Sequence, residues 1–197
     1  MIFEFRKSLL AGAAVAVLLS ACGEKSKEDS VTTAKALMAK SDQAGAIVEL
    51  KAALQKQPSA PEVRYLLGVA LLRTGDFAGA ILELGKAAEL GYDDDLIAPK
   101  LAQARIGAGK YAEVVRSVEK IELRNRTSQA DLLSSLALAH AVQGQDKLAQ
   151  QAVEKALALE PDFPAALSVK ARFLAAAGDF DGALAMLEKS LVSKDDR

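Results

Sequence analysis

Tryptophan is absent from the 197 residues, aromatic side chains make up 5% of them, and proline occurs five times. A chain so poor in large rings builds its core from small aliphatic side chains, so its elements have to approach one another closely. It has one cysteine and one histidine. That excludes an internal disulfide and leaves too few ligands for a Cys/His zinc site. No glycine-rich loop follows a strand-like run, which removes the usual phosphate cradle. Charge of one sign is missing as well: 25 Lys and Arg balance 26 Asp and Glu, for a net −1 with histidine neutral. Without a basic excess, the chain is not expected to bind nucleic acid, or anionic lipid through charge. With no constellation to carry catalysis, neither enzymatic activity, metal, cofactor nor small-molecule substrate is expected.

The long uncharged run sits at the start. Arg6 and Lys7 precede Ser8 to Ala21, which carries no charge and ends in small side chains, the shape of a secretory signal. A permanent span needs about 20 apolar residues, more than this run supplies. Leu19-Ser20-Ala21-Cys22 resembles the lipobox of bacterial lipoproteins. The resemblance implies that a signal peptidase recognises Leu19, Ser20 and Ala21, that the Cys22 thiol carries a diacylglycerol, and that residues 1–21 are removed. Stable anchoring then follows from more than one acyl chain, each buried methylene contributing about 0.8 kcal/mol. Gly23 and Glu24 follow Cys22, and the lack of an aspartate there favours, by the same resemblance, the periplasmic side of the outer membrane over the inner membrane. The polar stretch Gly23 to Ser30 has no apolar periodicity. Residues 22–30 are therefore expected to form a lipidated tether that overlaps the frayed start of the folded part at residue 27.

Beyond the tether the chain is rich in Ala and Leu and spaces its apolar residues three and four apart, an all-α pattern. Thr74-Gly75-Asp76-Phe77, Ala108-Gly109-Lys110-Tyr111, Gln143-Gly144-Gln145-Asp146 and Ala177-Gly178-Asp179-Phe180 recur at intervals of 34, 35 and 34 residues. This resembles the tetratricopeptide repeat, a helix–turn–helix unit of 34 residues. Five units follow: 27–60, 61–94, 95–128, 130–163 and 164–197. Their eighth position, where the two helices of a unit meet, holds Ala34, Gly68, Ala102, Ala137 and Ala171; their twentieth holds Ala46, Ala80, Val114, Ala149 and Ala183. Leu50, Leu84, Val118, Val153 and Leu187 at the twenty-fourth, and Ala53, Ala87, Ile121, Ala156 and Ser190 at the twenty-seventh, are expected to face the core. Pro58 and Pro161 stand just past second helices, where proline stops a helix. In the first unit Ser41 replaces the turn glycine, so that unit is expected to be an irregular cap. The resemblance implies an all-α, right-handed superhelical solenoid of stacked hairpins. At the other end no extra polar helix follows, so either the last helix is the cap or the chain is the front piece of a longer array.

Of the residues that could carry chemistry, His140 is expected to be a core or groove-edge side chain with one hydrogen bond, and Asp93-Asp94-Asp95 a solvated turn that caps the next helix. What remains is a binding surface for protein partners. In arrays of this kind the first helices line a concave groove. By position that implies Glu62, Tyr65, Val69, Leu72 and Arg73 in the second unit, Gln103 and Ile106 in the third, Asp131, Ser134 and Leu138 in the fourth, and Ser168 and Arg172 in the fifth. Tyr65 and Arg73 are of the types enriched where interfaces gain energy. The clamp that holds acidic carboxyl-terminal peptides in some arrays needs Lys and Asn at the fifth and ninth positions. Tyr65 and Val69, Pro99 and Gln103, and Ser134 and Leu138 occupy them here, so that role is not expected.

Ala46 to Gln55, Glu62 to Gly68, Glu89-Leu90-Gly91-Tyr92, Ala98-Pro99 and Gly109-Lys110-Tyr111 further resemble the tetratricopeptide lipoproteins of the PEP-CTERM/exosortase system, from the signal peptide to about residue 120. Members of that group are several times longer. The resemblance implies an accessory role in exopolysaccharide production and in sorting proteins to the cell surface. Two alternatives remain at this point: a lipoprotein that assists pilus, secretin or outer-membrane assembly, and the anchoring subunit or fragment of a glycan-processing enzyme.

Overall fold

The computed structural model describes residues 26–195, in which all regular structure is helical. Ten helices form five antiparallel pairs: α1 (Lys27–Ala39) with α2 (Gln43–Lys56), α3 (Pro61–Thr74) with α4 (Phe77–Glu89), α5 (Asp94–Gly107) with α6 (Tyr111–Val118), α7 (Arg126–Val142) with α8 (Asp146–Leu159), and α9 (Pro164–Ala176) with α10 (Phe180–Asp195). The pairs stack into a right-handed solenoid. Cys22 and its recognition residues Leu19, Ser20 and Ala21 lie outside the described residues.

Close packing comes from the small residues. Ala34, Ala102 and Ala137 are fully buried, as are Ala46, Ala80, Val114 and Ala149 opposite them. Gly68 is the extreme case, since a Cβ there would fall 2.6 Å from Cγ of Leu84. Two clusters divide the core. One joins α1 to α5 through residues such as Leu50, Val63, Leu67 and Leu84, and the other joins α5 to α9 through Val114, Leu132, Leu136 and Val153. Each helix pair lends one face to the pair before it and another to the pair after it, which is why no pair folds as a separate unit.

The local signals act as chemistry dictates. Pro61 and Pro164 occupy the first turn of α3 and α9, where the missing N–H has no helical partner to lose. Asp42, Asp76 and Asp179 each accept a 2.9 Å hydrogen bond from the backbone N–H of a glycine three residues on: Gly45, Gly79 and Gly182. A Cβ at any of the three would collide with the capping carboxylate. The turn glycines between paired helices have positive φ, and Ser41 takes that conformation too, at φ 61°.

Four expectations are corrected. The first unit starts at residue 27 as expected, but residues 27–30 are an ordered first turn of α1 instead of a frayed overlap with the tether, because Ser26 and Asp29 form a reciprocal capping box (3.1 and 3.2 Å) and Ser30 is buried. Helix α7 begins at Arg126, ahead of residue 130, because the Asn125 side chain accepts from the Ser128 N–H. Helix α6 stops at Val118, which leaves Ile121 beyond its end, packed on the second core cluster. The connection that follows has its own partners: Leu123 N–H donates to Gln129 Oε1 at 2.7 Å and Arg124 N–H to Asp95 Oδ1 at 2.9 Å. Finally, Leu187 is 44% exposed rather than core, because no described helix covers the far side of α10.

Candidate partner-binding groove

The first helices of successive units run side by side along one face. Between α5, α7 and α9 they enclose an open cavity of about 310 Å³. Its walls bring together Gln103 and Ile106 from α5, Asp131, Ser134 and Leu138 from α7, and Ser168 and Arg172 from α9, along with Ser135, Ala165 and Val169, which the repeat register did not assign. The exposed lining is almost wholly apolar because its polar groups are already engaged. Asp131 accepts Gln103 Nε2 on both carboxylate oxygens at 2.9 Å and lies 3.5 Å from Lys100 Nζ. Ser168 and Ser190 donate to the Pro164 carbonyl at 2.9 and 3.0 Å. Arg172 is exposed at the edge and makes no ion pair among the described residues. The cavity therefore offers an apolar floor with one uncommitted cation beside it.

Ser134 departs from the expectation of a groove surface residue. It is buried, and its hydroxyl donates back to the Ala130 carbonyl at 2.7 Å, so only its edge reaches the cavity. Val69 is likewise buried in the first core cluster, and Leu72 packs against that cluster. Neighbouring helices cover these positions, which position within a repeat does not reveal.

The groove continues to the amino-terminal units with different chemistry. Glu62 on α3 accepts Lys35 Nζ of α1 at 2.6 Å, with both side chains about half exposed. That hydrogen bond raises the Lys35 pKa against a smaller opposing effect of burial. Tyr65 stacks on Tyr92, ring centroids 4.9 Å apart and planes 28° from parallel. Burial raises the pKa of both phenols; Tyr92 adds to the rise at Tyr65 while Arg73 opposes it, and Glu62 adds to the rise at Tyr92. Arg73 lines a second cavity of about 560 Å³ with Lys35, Met38, Gln43 and Leu66. Gln43 donates weakly to the Met38 carbonyl at 3.5 Å, while its Oε1 is buried without a partner. Sequence reading assigned none of Lys35, Met38, Gln43, Leu66 and Tyr92 to the groove. Leu90-Gly91-Tyr92 was a signal for the last of these, since positive φ at Gly91 turns the chain just before the ring.

The remaining candidates are structural. His140 is buried with its Nδ1 2.6 Å from Gln145 Oε1, which ties α7 to the turn before α8. Asp93 caps α5 through the Asp95 N–H at 3.0 Å, and Arg124 lies 3.8 and 3.6 Å from Asp93 and Asp95. Among the described residues no group of three or more His, Cys, Asp or Glu side chains is placed to hold a metal, and no helix is long and apolar enough to cross a membrane.

Five stacked helical hairpins with an open groove along their first helices define a helical-repeat solenoid. Family profiles described as tetratricopeptide repeat match residues 31–95 and 140–196, together more than half of the sequence, and the chain belongs to the tetratricopeptide-repeat family. No curated protein sequence matches it. Among solved structures it is similar to TTC0263, a thermophilic tetratricopeptide protein of Thermus thermophilus, at 23% identity and TM-score 0.68, over 85% of this chain and 91% of that one. It is also similar to PilW, a type IV pilus biogenesis factor, at 20% identity and TM-score 0.69, over 86% and 78% of the two chains. YrrB, a tetratricopeptide protein with an unusual peptide-binding site, matches at 16% identity and TM-score 0.61, over 86% and 87%. At these identities the likeness is one of fold.

Proposed function

We propose that the protein is a non-enzymatic scaffold, held at the periplasmic side of the outer membrane by lipid on Cys22, that gathers protein partners in its first-helix groove. The observation that carries the reading is the cavity between α5, α7 and α9, where Ile106, Leu138 and Val169 stay apolar while Arg172 is left uncommitted. Such a site suits an apolar side chain followed by a carboxylate, because the apolar contact supplies energy and the single cation fixes direction. YrrB, of the same fold, is described by its peptide-binding site. The lipobox supports the anchor, and the likeness of the first 120 residues to tetratricopeptide lipoproteins of the PEP-CTERM/exosortase system supports partners from exopolysaccharide export or protein sorting.

Co-purification from the native cell tests this. Components of that system should remain with the wild type and be lost with Leu138→Glu. A partner retained equally by both contradicts the groove assignment. Palmitate labelling of wild type and Cys22→Ala tests the anchor, which equal labelling would contradict. A role in pilus or secretin assembly is the second reading, favoured by similarity to PilW along most of the chain. Recovery of pilus components in the same co-purification selects it.

A further inference from the structure

The third hairpin is built more thinly than the others. Helix α6 has 8 residues, where the second helices α2, α4, α8 and α10 have 14, 13, 14 and 16. It buries Val114 and Val118, whereas α8 buries Ala149, Ala152, Val153 and Ala156. A helix this short is not stable by itself and keeps its shape only through what it packs against. Its polar contact with α5 is incomplete as well. Arg105 Nη1 donates to Ser117 Oγ at 2.8 Å, but Arg105 Nε is buried without a hydrogen-bond partner among the described residues, and Glu113 stays 3.9 Å away from it. Burial lowers the Arg105 pKa, an effect that Glu113 opposes. A buried N–H left without a partner weakens the contact it sits in.

Residues 119–125 follow without regular structure. Ile121 and Leu123 pack on the second core cluster, while Lys120, Glu122 and Arg124 are exposed. A segment outside a helix needs other partners for its backbone, and here side chains supply them. Gln129, in the first turn of α7, accepts the Leu123 N–H at 2.7 Å and reaches the Ile121 carbonyl with Nε2 at 3.5 Å. Asp95, in the first turn of α5, accepts the Arg124 N–H on Oδ1 at 2.9 Å, and its other oxygen lies 3.6 Å from Arg124 Nε. The Arg124 side chain is 87% exposed, so water screens that ion pair and the backbone bond is the firmer of the two. The connector is thus fastened to α5 by one side chain and to α7 by another, and each fastening is lost with its side chain.

We propose that α6 and residues 119–125 open as one local unit while the other helices stay folded, with Gln129 and Asp95 as the latch that keeps the unit closed. The latch joins α5 to α7, and these two helices carry Ile106 and Leu138 into the cavity. Closed, it fixes the spacing of their first turns. Open, it releases that spacing, so an occupant that grips both helices favours the closed form and is favoured by it. The opening depends on the third hairpin alone, and only this last effect rests on the groove reading.

Hydrogen–deuterium exchange of the full-length protein is measured without a partner, so failure of the groove reading leaves the test intact. Amides of residues 111–125 should exchange about tenfold or more faster than those of α4 and α8, and below the unfolding midpoint their rates should be nearly independent of urea, the mark of a small local opening. Gln129→Ala and Asp95→Ala should each speed exchange in residues 111–125 by a further factor of about five and leave α4 and α8 unchanged. Protection of residues 111–125 equal to that of α4 and α8, or a urea dependence as steep as theirs, overturns the proposal. So does an effect of Gln129→Ala that is spread evenly over all helices or absent from residues 111–125. The wild-type rates and their urea dependence decide the matter even where a variant does not fold.

Discussion

Tyr65 on α3 and Tyr92 in the turn between α4 and α5 stack with their ring centroids 4.9 Å apart, which joins the second helical pair to the approach of the third. An aromatic pair of this kind contributes about 0.5–1.5 kcal/mol beyond the area it buries. Tyr92→Ala should lower unfolding free energy by about 1–2 kcal/mol, measured by urea denaturation. Tyr92→Phe should keep most of that contribution.

The same pair sets a pH dependence. Burial raises both phenol pKa values above 10 in the folded state. The unfolded chain therefore loses these protons first as pH rises. The stabilising effect is complete below pH 10 and is lost as the pH climbs through the folded-state values. Thermal unfolding followed between pH 8 and 11 should show stability declining above pH 10, and the decline should shrink in the double variant Tyr65→Phe/Tyr92→Phe.

Gly68 and Leu84 test the packing. A Cβ on Gly68 would approach the Leu84 side chain to 2.6 Å and its backbone nitrogen to 3.1 Å, and Leu84 is fully buried. Gly68→Ala should cost about 1–3 kcal/mol, the usual penalty for overfilling a packed core, despite the better helix propensity of alanine. Equal or greater stability would show that α3 and α4 can separate at no cost.

Ser41 tests the turn. It holds φ 61° where later units use glycine, a conformation that costs a non-glycine residue about 1–2 kcal/mol. Part of that is offset by the greater freedom glycine has when unfolded. Ser41→Gly should raise the stability of the protein by about 0.5–1 kcal/mol, read from the chemical denaturation midpoint.

These positions also explain how far the sequence could be read. The small residues at Ala34, Gly68, Ala102 and Ala137 and the glycines at 34-residue spacing were legible because close helix contact and positive φ each demand particular side chains. Val69 and Ser134 were assigned to the groove and are buried. Their place in the repeat sets which way they point, but exposure depends on how near the neighbouring helix lies. Tyr92 sits in a turn and so escaped helical periodicity altogether. The start of α1 was legible in Ser26 and Asp29, whose spacing is that of a capping box, yet the charged composition around them reads equally as tether. Leu187 holds a core position of the repeat and is exposed because no helix among the described residues covers that side of α10.

The central claim, that partners are held between α5, α7 and α9, is most directly tested by placing a photo-crosslinking amino acid in the native protein at Leu138 and, separately, at the exposed Val48 on α2. Irradiation in cells should give a discrete covalent adduct from Leu138 that Arg172→Glu diminishes, and none of the same mass from Val48. The same adduct from both positions, or none from Leu138, would contradict the account.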